Sequence, residues 1–142
     1  MKYDEILRSP HAGIYAAPAV LGPLRAAAKR AGVDWCDLDL AGAGDRSEFL
    51  RRCVEVFTLP AHFGGNWDAL RDSLSDFAAQ RRPGAIVHWR RGAELARRSP
   101  ESMMTALEIF QEAAMYGAGA GCSFVVIVDR DGAPGVDLAP LR

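Results

Sequence analysis

The chain has 142 residues, of which 49% are hydrophobic, and its formal net charge is −1. This length and composition fit one globular domain, residues 1–142, with a core of its own, and they exclude a small scaffold that depends on disulfides. The three cysteines lack CxxC or Cys/His metal-ligand spacing, and no run of 18 apolar residues is present. We therefore expect a cytoplasmic protein with no metal, no cofactor and no membrane partner.

The first 32 residues predict little regular structure apart from one helix. The stretch from His11 to Tyr15 lies between two prolines and is at most a short strand. Leu21 to Ala31 predicts a helix, because Pro23 lies in its first turn and Gly32 follows its end. Residues 1–32 are therefore interpreted as an N-terminal extension that contains a helix.

Three strands are predicted in the remainder of the chain. Val33 to Leu40 nearly alternates apolar residues with aspartates, Ala85 to Trp89 is short and apolar, and Ser123 to Val128 is an unbroken apolar run. Helical patterns separate these strands, so they should pair in parallel. We predict an α/β fold with a small three-stranded parallel sheet packed against helices, a core at residues 33–129 and a tail at 130–142.

Cap residues predict two of the intervening helices. Asp45 or Ser47 can begin a helix that stops at Leu59-Pro60. Ser99, followed by a proline, can begin another that ends near Gly117. The apolar residues of both segments recur with helical spacing, so each helix should bury one side.

The segment LPAHFGGNWDALRDSLSDF, residues 59–77, carries the most functional information. Asn66 is a predicted N-cap, so a helix should begin at the next residue. Its buried face is predicted from the residues that recur at i, i+3, i+7 and i+10, which are Trp67, Leu70, Leu74 and Phe77.

The opposite face of this helix is acidic. Asp68, Asp72 and Asp76 recur at i, i+4 and i+8 and should point into solvent. Like charges at this spacing disfavour an isolated helix by about 0.2–0.5 kcal/mol per pair. An ordinary solvated face would account for the spacing alone, but a row with a stability cost is also a candidate surface for a basic partner.

The sequence shows no catalytic arrangement. His62 has no Ser or Cys nucleophile near it in sequence, His88 lies inside a predicted strand, and His11 lies in the weakly patterned N-terminal segment. The pair Gly64-Gly65 lacks the spacing of a phosphate-binding loop. The arginine pairs are dispersed and are balanced by 18 acidic residues, so a nucleic-acid site is the least favoured interpretation. We predict that the chain is not an enzyme and has no catalytic or metal-binding residue.

The segment as a whole resembles the signature of the barstar family of ribonuclease inhibitors. The shared positions are Leu59-Pro60, Phe63, Gly64, Asn66, Asp68-Ala69-Leu70, Asp72 and Leu74. The strand AIVHW, a helix containing IFQEA and a closing apolar strand follow in the family's order, so the resemblance covers roughly Val33 to Asp129. It implies a three-stranded parallel sheet packed on helices.

The resemblance also implies a site. Asp68 and Asp72 fall on the helix that plugs the nuclease active site, where a carboxylate stands in for a substrate phosphate. Glu112, in IFQEA, falls where the family has a further acidic contact, and on its own helix it lies opposite the apolar stripe. Asp76 stands where the family prototype has a glycine and extends the acidic row.

Two other positions of the implied interface depart from the prototype, and a third matches it. His62 stands in place of an interfacial tyrosine, and Arg71 stands in place of an interfacial tryptophan. Phe77 matches another tryptophan, although helical periodicity turns it toward the core. Aromatic anchors are common hot spots of protein interfaces, so these positions bear on which partner is bound.

The function implied by the resemblance is inhibition without turnover. The protein would bind a small basic ribonuclease or a related toxin 1:1 and block its active site with the acidic helix. The alternative is an immunity protein or interaction module of the same fold that binds a partner other than a ribonuclease.

Overall fold

Four parallel strands form one sheet in the computed structural model, which describes residues 2–60 and 65–141. The strands are β1 (Ala12–Ala16), β2 (Asp34–Asp39), β3 (Gly84–Arg90) and β4 (Ser123–Val128). Their order in the sheet is β1-β4-β3-β2, and all three pairings are parallel. The predicted α/β class and parallel pairing are confirmed, but the prediction of three strands is wrong.

The additional strand is β1, from the segment that the sequence predicts as an N-terminal extension. It pairs along its whole length with β4, with Ala12 opposite Phe124 and Ala16 opposite Val128. Its five residues, AGIYA, are small or weakly patterned, so they carry little local strand signal. The strand forms because β4 is an unbroken apolar strand whose second edge is open to pairing.

Six helices lie within the described residues. They are α1 (Lys2–Ile6), α2 (Gly22–Ala31), α3 (Arg46–Phe57), α4 (Trp67–Gln80), α5 (Ala93–Arg98) and α6 (Pro100–Gly119). The predicted caps of α3 and α4 are confirmed, because Asp45 accepts from the Glu48 amide at 2.9 Å and Asn66 accepts from the Ala69 amide at 2.7 Å. None of these helices is both long and apolar enough to span a bilayer.

The sheet is covered on both faces. One face packs against α3, α4, α5 and α6 around an aromatic cluster in which Trp89 lies 5.2 Å from Phe110 and 5.5 Å from Phe49, measured between ring centroids. The other face packs against α1 and α2 through Leu24 and Ile86. The central strands β3 and β4 are therefore almost entirely buried, as expected for strands covered on both sides.

The tail after β4 is irregular, as predicted, but it is held against the domain. The indole nitrogen of Trp89 donates to the Gly132 carbonyl at 2.9 Å. Further on, the Ala16 amide donates to the Ala139 carbonyl at 2.8 Å, so the tail runs beside β1. Helix α6 packs on β1, and Val136 and Leu138 of the tail lie beside Met104 and Leu107 of α6.

Candidate partner-binding surface

Helix α4 presents one apolar and one acidic face, as its sequence predicts. Leu70, Leu74 and Ala78 are fully buried and contribute to the core beneath the sheet. Trp67 and Phe77, which were also assigned to the buried face, are partly buried at its margins. This packing fixes which side of α4 is exposed to solvent.

The predicted exposure of the three aspartates is confirmed. Asp68, Asp72 and Asp76 are all exposed. The helical rise places the first and last of them about 12 Å apart, with Asp72 midway. Neither Asp72 nor Asp76 makes an ion pair within residues 2–60 and 65–141.

Arg71 joins α4 to α6. Its Nη1 lies 3.1 Å from Asp68 Oδ1, and its Nε donates to Glu112 Oε2 at 2.8 Å. The hydrogen bond that Arg71 donates to Glu112, followed by the charge of that carboxylate, raises the pKa of the Arg71 guanidinium above its usual value. The structure thus brings Glu112 beside the aspartate row, with a cation between them.

Phe77, another predicted interface residue, faces the core margin rather than this row. Phe77 lies edge-on to Phe57 at 5.0 Å, and the guanidinium of Arg81 covers its ring at 4.1 Å. It therefore contributes to the core margin, and a contact with a partner stays a prediction. His62 lies outside the described residues, so its predicted role also stays a prediction.

We use the name acidic surface for four carboxylates and the arginine among them, namely Asp68, Asp72, Asp76, Glu112 and Arg71. The carboxylates outnumber the guanidinium four to one, so the surface has a clear negative excess. Exposed carboxylates of fixed position can accept hydrogen bonds from the Arg and Lys side chains of another protein. The arrangement therefore suits a basic protein partner.

A comparison with protein families covers the same surface. The family profile described as Barstar (barnase inhibitor) matches residues 33–129, more than half of the chain. The chain belongs to the barstar family. No individual curated protein matches it significantly. The whole acidic surface lies inside the part that matches the barstar profile, whereas α1, β1, α2 and the tail lie outside it.

A second charged group in this barstar-family chain was not anticipated from the sequence. We call it the strand-end cluster, and it consists of Asp37, Asp39, His88, Arg90, Arg91 and Asp129. The residues meet because the parallel register places Asp37 beside His88 and Asp39 beside Arg90. The sequence does show alternating acids on β2 and alternating His and Arg on β3. These patterns predict the cluster only once it is known that the two strands pair, and in which register.

The strand-end cluster is paired internally. Asp39 accepts from Arg91 Nε at 2.9 Å and lies 3.5 Å from Arg90 Nη2. His88 Nε2 lies 2.8 Å from Asp129 Oδ1 and its Nδ1 lies 3.8 Å from Asp37 Oδ1. The ring of His88 thus faces two carboxylates, and within the described residues it is not paired with a hydroxyl or thiol nucleophile.

The described residues offer little for metal or thiol chemistry. In residues 2–60 and 65–141, no group of three or more His, Cys, Asp or Glu side chains is arranged to hold a metal ion. Burial, with a smaller contribution from Asp34, raises the pKa of the Cys36 thiol to about 11. Cys36 is therefore protonated near neutral pH and is a poor nucleophile.

Proposed function

We propose that this barstar-family protein inhibits a small basic ribonuclease in the cytoplasm by binding it 1:1 and covering its active site with the acidic surface. One observation carries the proposal: Asp72 is central in an exposed carboxylate row and makes no ion pair within the described residues. The family description, barnase inhibitor, supports the same partner class.

The mechanism is electrostatic steering followed by steric occlusion. A ribonuclease active site must hold a phosphate anion, so it presents cations that a fixed carboxylate can satisfy in place of substrate. Opposite charges also speed the encounter of two proteins, for which the barnase–barstar pair is the standard example. Salt screens exposed charges over about 8–10 Å, so association should slow as ionic strength rises.

Arg71 reduces the negative charge of the acidic surface but does not neutralise it. A free cation facing a basic nuclease would be repelled, but Arg71 is already paired with Asp68 and Glu112. Two of the four carboxylates are thereby partly neutralised, and Asp72 and Asp76 retain the strongest attraction for a partner. The contact therefore centres on Asp72.

The direct test uses barnase and a panel of other small basic secreted ribonucleases. Residual nuclease activity, calorimetric stoichiometry and the stopped-flow association rate are measured while the chain is titrated into each enzyme. We expect full inhibition of at least one enzyme at one equivalent, and an association rate that falls with added salt. An acidic ribonuclease of similar size is the matched control and should not bind.

The proposal fails if no basic ribonuclease is inhibited, or if the chain binds RNA through its arginine pairs instead. The presence of Arg71 at a position where an aromatic anchor is expected favours one alternative, an immunity protein for a basic toxin that is not a ribonuclease. That alternative predicts tight, salt-sensitive binding to such a toxin with no effect on any ribonuclease in the panel.

A further inference from the structure

An apolar groove lies beside the acidic surface, where α6 meets β1 and the tail. Its volume is about 410 Å³, and its apolar lining comes from Met104 and Leu107 of α6, Ile14 of β1, and Val136 and Leu138 of the tail. Met104 is 50% exposed, so a large apolar side chain of the groove faces solvent. The groove is open to solvent and is wide enough for one or two side chains.

Two walls of the groove come from outside the family match. Ile14 precedes residue 33, and Val136 and Leu138 follow residue 129. They reach α6 because β1 extends the sheet beyond β4 and the tail runs beside β1. The groove is therefore a product of the segments that this chain adds to the matched barstar core.

The groove is continuous with the acidic surface through Glu112. Glu112 lines the groove and also accepts the hydrogen bond from Arg71. Glu108, one turn earlier on α6, lines the groove as a second exposed carboxylate. The groove thus has an apolar floor and a negative rim, which fits an apolar side chain carried between basic residues.

We propose that the interface with the basic ribonuclease continues past Glu112 into this groove, which receives an apolar side chain of the ribonuclease flanked by cations. The inference rests on the proposed function and supplies a pocket that the exposed charges of α4 lack, since interface hot spots lie in well-packed, desolvated pockets. A second copy of this chain fits less well, because two-fold packing would bring Glu108 and Glu112 of both copies together.

The test compares two exposed methionines of α6. Met104 is 50% exposed and lines the groove, whereas Met115 is 57% exposed and does not line it. Met115 is three residues from Glu112, about 4.5 Å along the helix axis, and Met104 is eight residues away, about 12 Å. An interface restricted to α4 and Glu112 would therefore reach Met115 before Met104.

Met104→Gln and Met115→Gln preserve size and charge but remove the apolar end. For the ribonuclease that the wild-type chain inhibits, we expect Met104→Gln to speed dissociation about tenfold and Met115→Gln to change it much less. Equal effects, or a larger effect of Met115→Gln, would overturn the inference. Both side chains are at least half exposed, so neither change should unfold the protein.

A second test uses NMR signals of the methionine methyl groups and does not depend on a change in affinity. In a chain labelled with 13C at the methionine methyl groups, addition of the ribonuclease should shift the Met104 signal, whereas buried Met103 serves as an internal reference. An unchanged Met104 signal in the inhibited complex would overturn the inference. A dimer of the free chain that Met104→Gln dissociates would do the same, because a second copy would then occupy the groove.

The Asp72→Ala variant separates this inference from the proposed function. If Asp72→Ala weakens binding and Met104→Gln does not, the acidic surface binds the ribonuclease and the groove is not part of the interface. If the wild-type chain inhibits no basic ribonuclease, the proposed function fails and the inference fails with it.

Discussion

The acidic surface and the strand-end cluster both collect carboxylates at the surface, but they differ in how those carboxylates are paired. In the strand-end cluster Asp39 contacts two arginines, and Asp129 contacts His88. On α4, Asp72 and Asp76 make no ion pair within the described residues. A group of acids therefore does not by itself indicate a surface for a basic partner, and the number of unpaired acids is the better guide.

The difference follows from the two secondary structures. On the sheet, the register places acids of β2 opposite the basic side chains and the histidine of β3, so each charge has a counter-charge nearby. On α4, the four-residue spacing places acid after acid on one face, and Arg71 is the cation between them and Glu112. The first arrangement stabilises the fold, whereas the second leaves charge available for another protein.

The largest expected effect is the loss of binding on changing Asp72 to alanine. Asp72→Ala should weaken binding to the ribonuclease by more than about 2 kcal/mol, because a cation of the partner would be buried without its counter-charge. Stability to urea should be unchanged or slightly higher, since repulsion with Asp68 and Asp76 is relieved. Dissociation rate and unfolding free energy are measured on the same preparation.

Asp76→Ala is the control for this change. Asp76 is also exposed and its substitution removes the same charge, but it lies at the end of the row, where a contact is at the rim of the interface. It should weaken binding clearly less than Asp72→Ala. Equal small losses in both variants, or unfolding of Asp72→Ala, would mean that the row is an ordinary solvated face.

Removing the cation from the acidic surface should strengthen binding to the ribonuclease, by less than Asp72→Ala weakens it. Arg71→Gln frees Asp68 and Glu112 from their ion pairs and makes the surface more negative. Association with a basic ribonuclease at low salt should become roughly tenfold faster, and the difference should shrink as salt is added. Stopped-flow association rates over a series of salt concentrations measure both effects.

Arg97→Gln provides the matched control for net charge. Arg97 is exposed on α5, outside the acidic surface, and its loss changes the charge of the protein by the same amount. If both variants accelerate association equally, the gain comes from net charge alone. If Arg71→Gln slows association instead, Arg71 itself contacts an acidic group of the partner.

Sequence patterns were sufficient for elements whose signal is local. The apolar run of β4 and the Asn66 cap followed by helical spacing in α4 each determine a structure within a few residues. β1 lacks such a signal, because AGIYA becomes a strand only when β4 offers an edge more than 100 residues later, as the bond from the His11 amide to Ser123 Oγ illustrates. Its residues pair through a distant partner rather than through their own pattern.

The same distinction applies to the site. The exposure of Asp68, Asp72 and Asp76 follows from helical periodicity and could be predicted. The pairing of Arg71 with Glu112 joins residues 41 positions apart, so no spacing rule contains it. The groove beside Glu112 was also missed, because its walls come from segments at opposite ends of the chain that meet only in the folded sheet.

The smallest expected effect is a loss of stability when the strand-end cluster loses one carboxylate. Asp39→Ala should lower the free energy of unfolding by about 1 kcal/mol, because it removes the contacts with Arg90 and Arg91 and the hydrogen bond from the Ala41 amide at 3.1 Å. Binding to the ribonuclease should be unaffected. Urea unfolding gives the change in stability, and a dissociation rate measured in parallel gives the change in binding. Asp76→Ala is the control and should lose no stability, because Asp76 has no such contacts in the described part of the chain.

The pH dependence of the stabilisation by Asp39 tests whether that stabilisation comes from its ionised carboxylate. The hydrogen bond from Arg91 holds the pKa of the Asp39 carboxyl below its ordinary value of 3.8 in the folded protein. The resulting stabilisation is therefore fully present above pH 3.8 and is lost as the pH falls through the lower folded-state pKa. The stability difference between wild type and Asp39→Ala should be constant near neutral pH and should shrink in acid. A difference that persists undiminished in strong acid would show that Asp39 acts through packing, and the contrast between paired and unpaired carboxylates would then not explain the stability of the strand-end cluster.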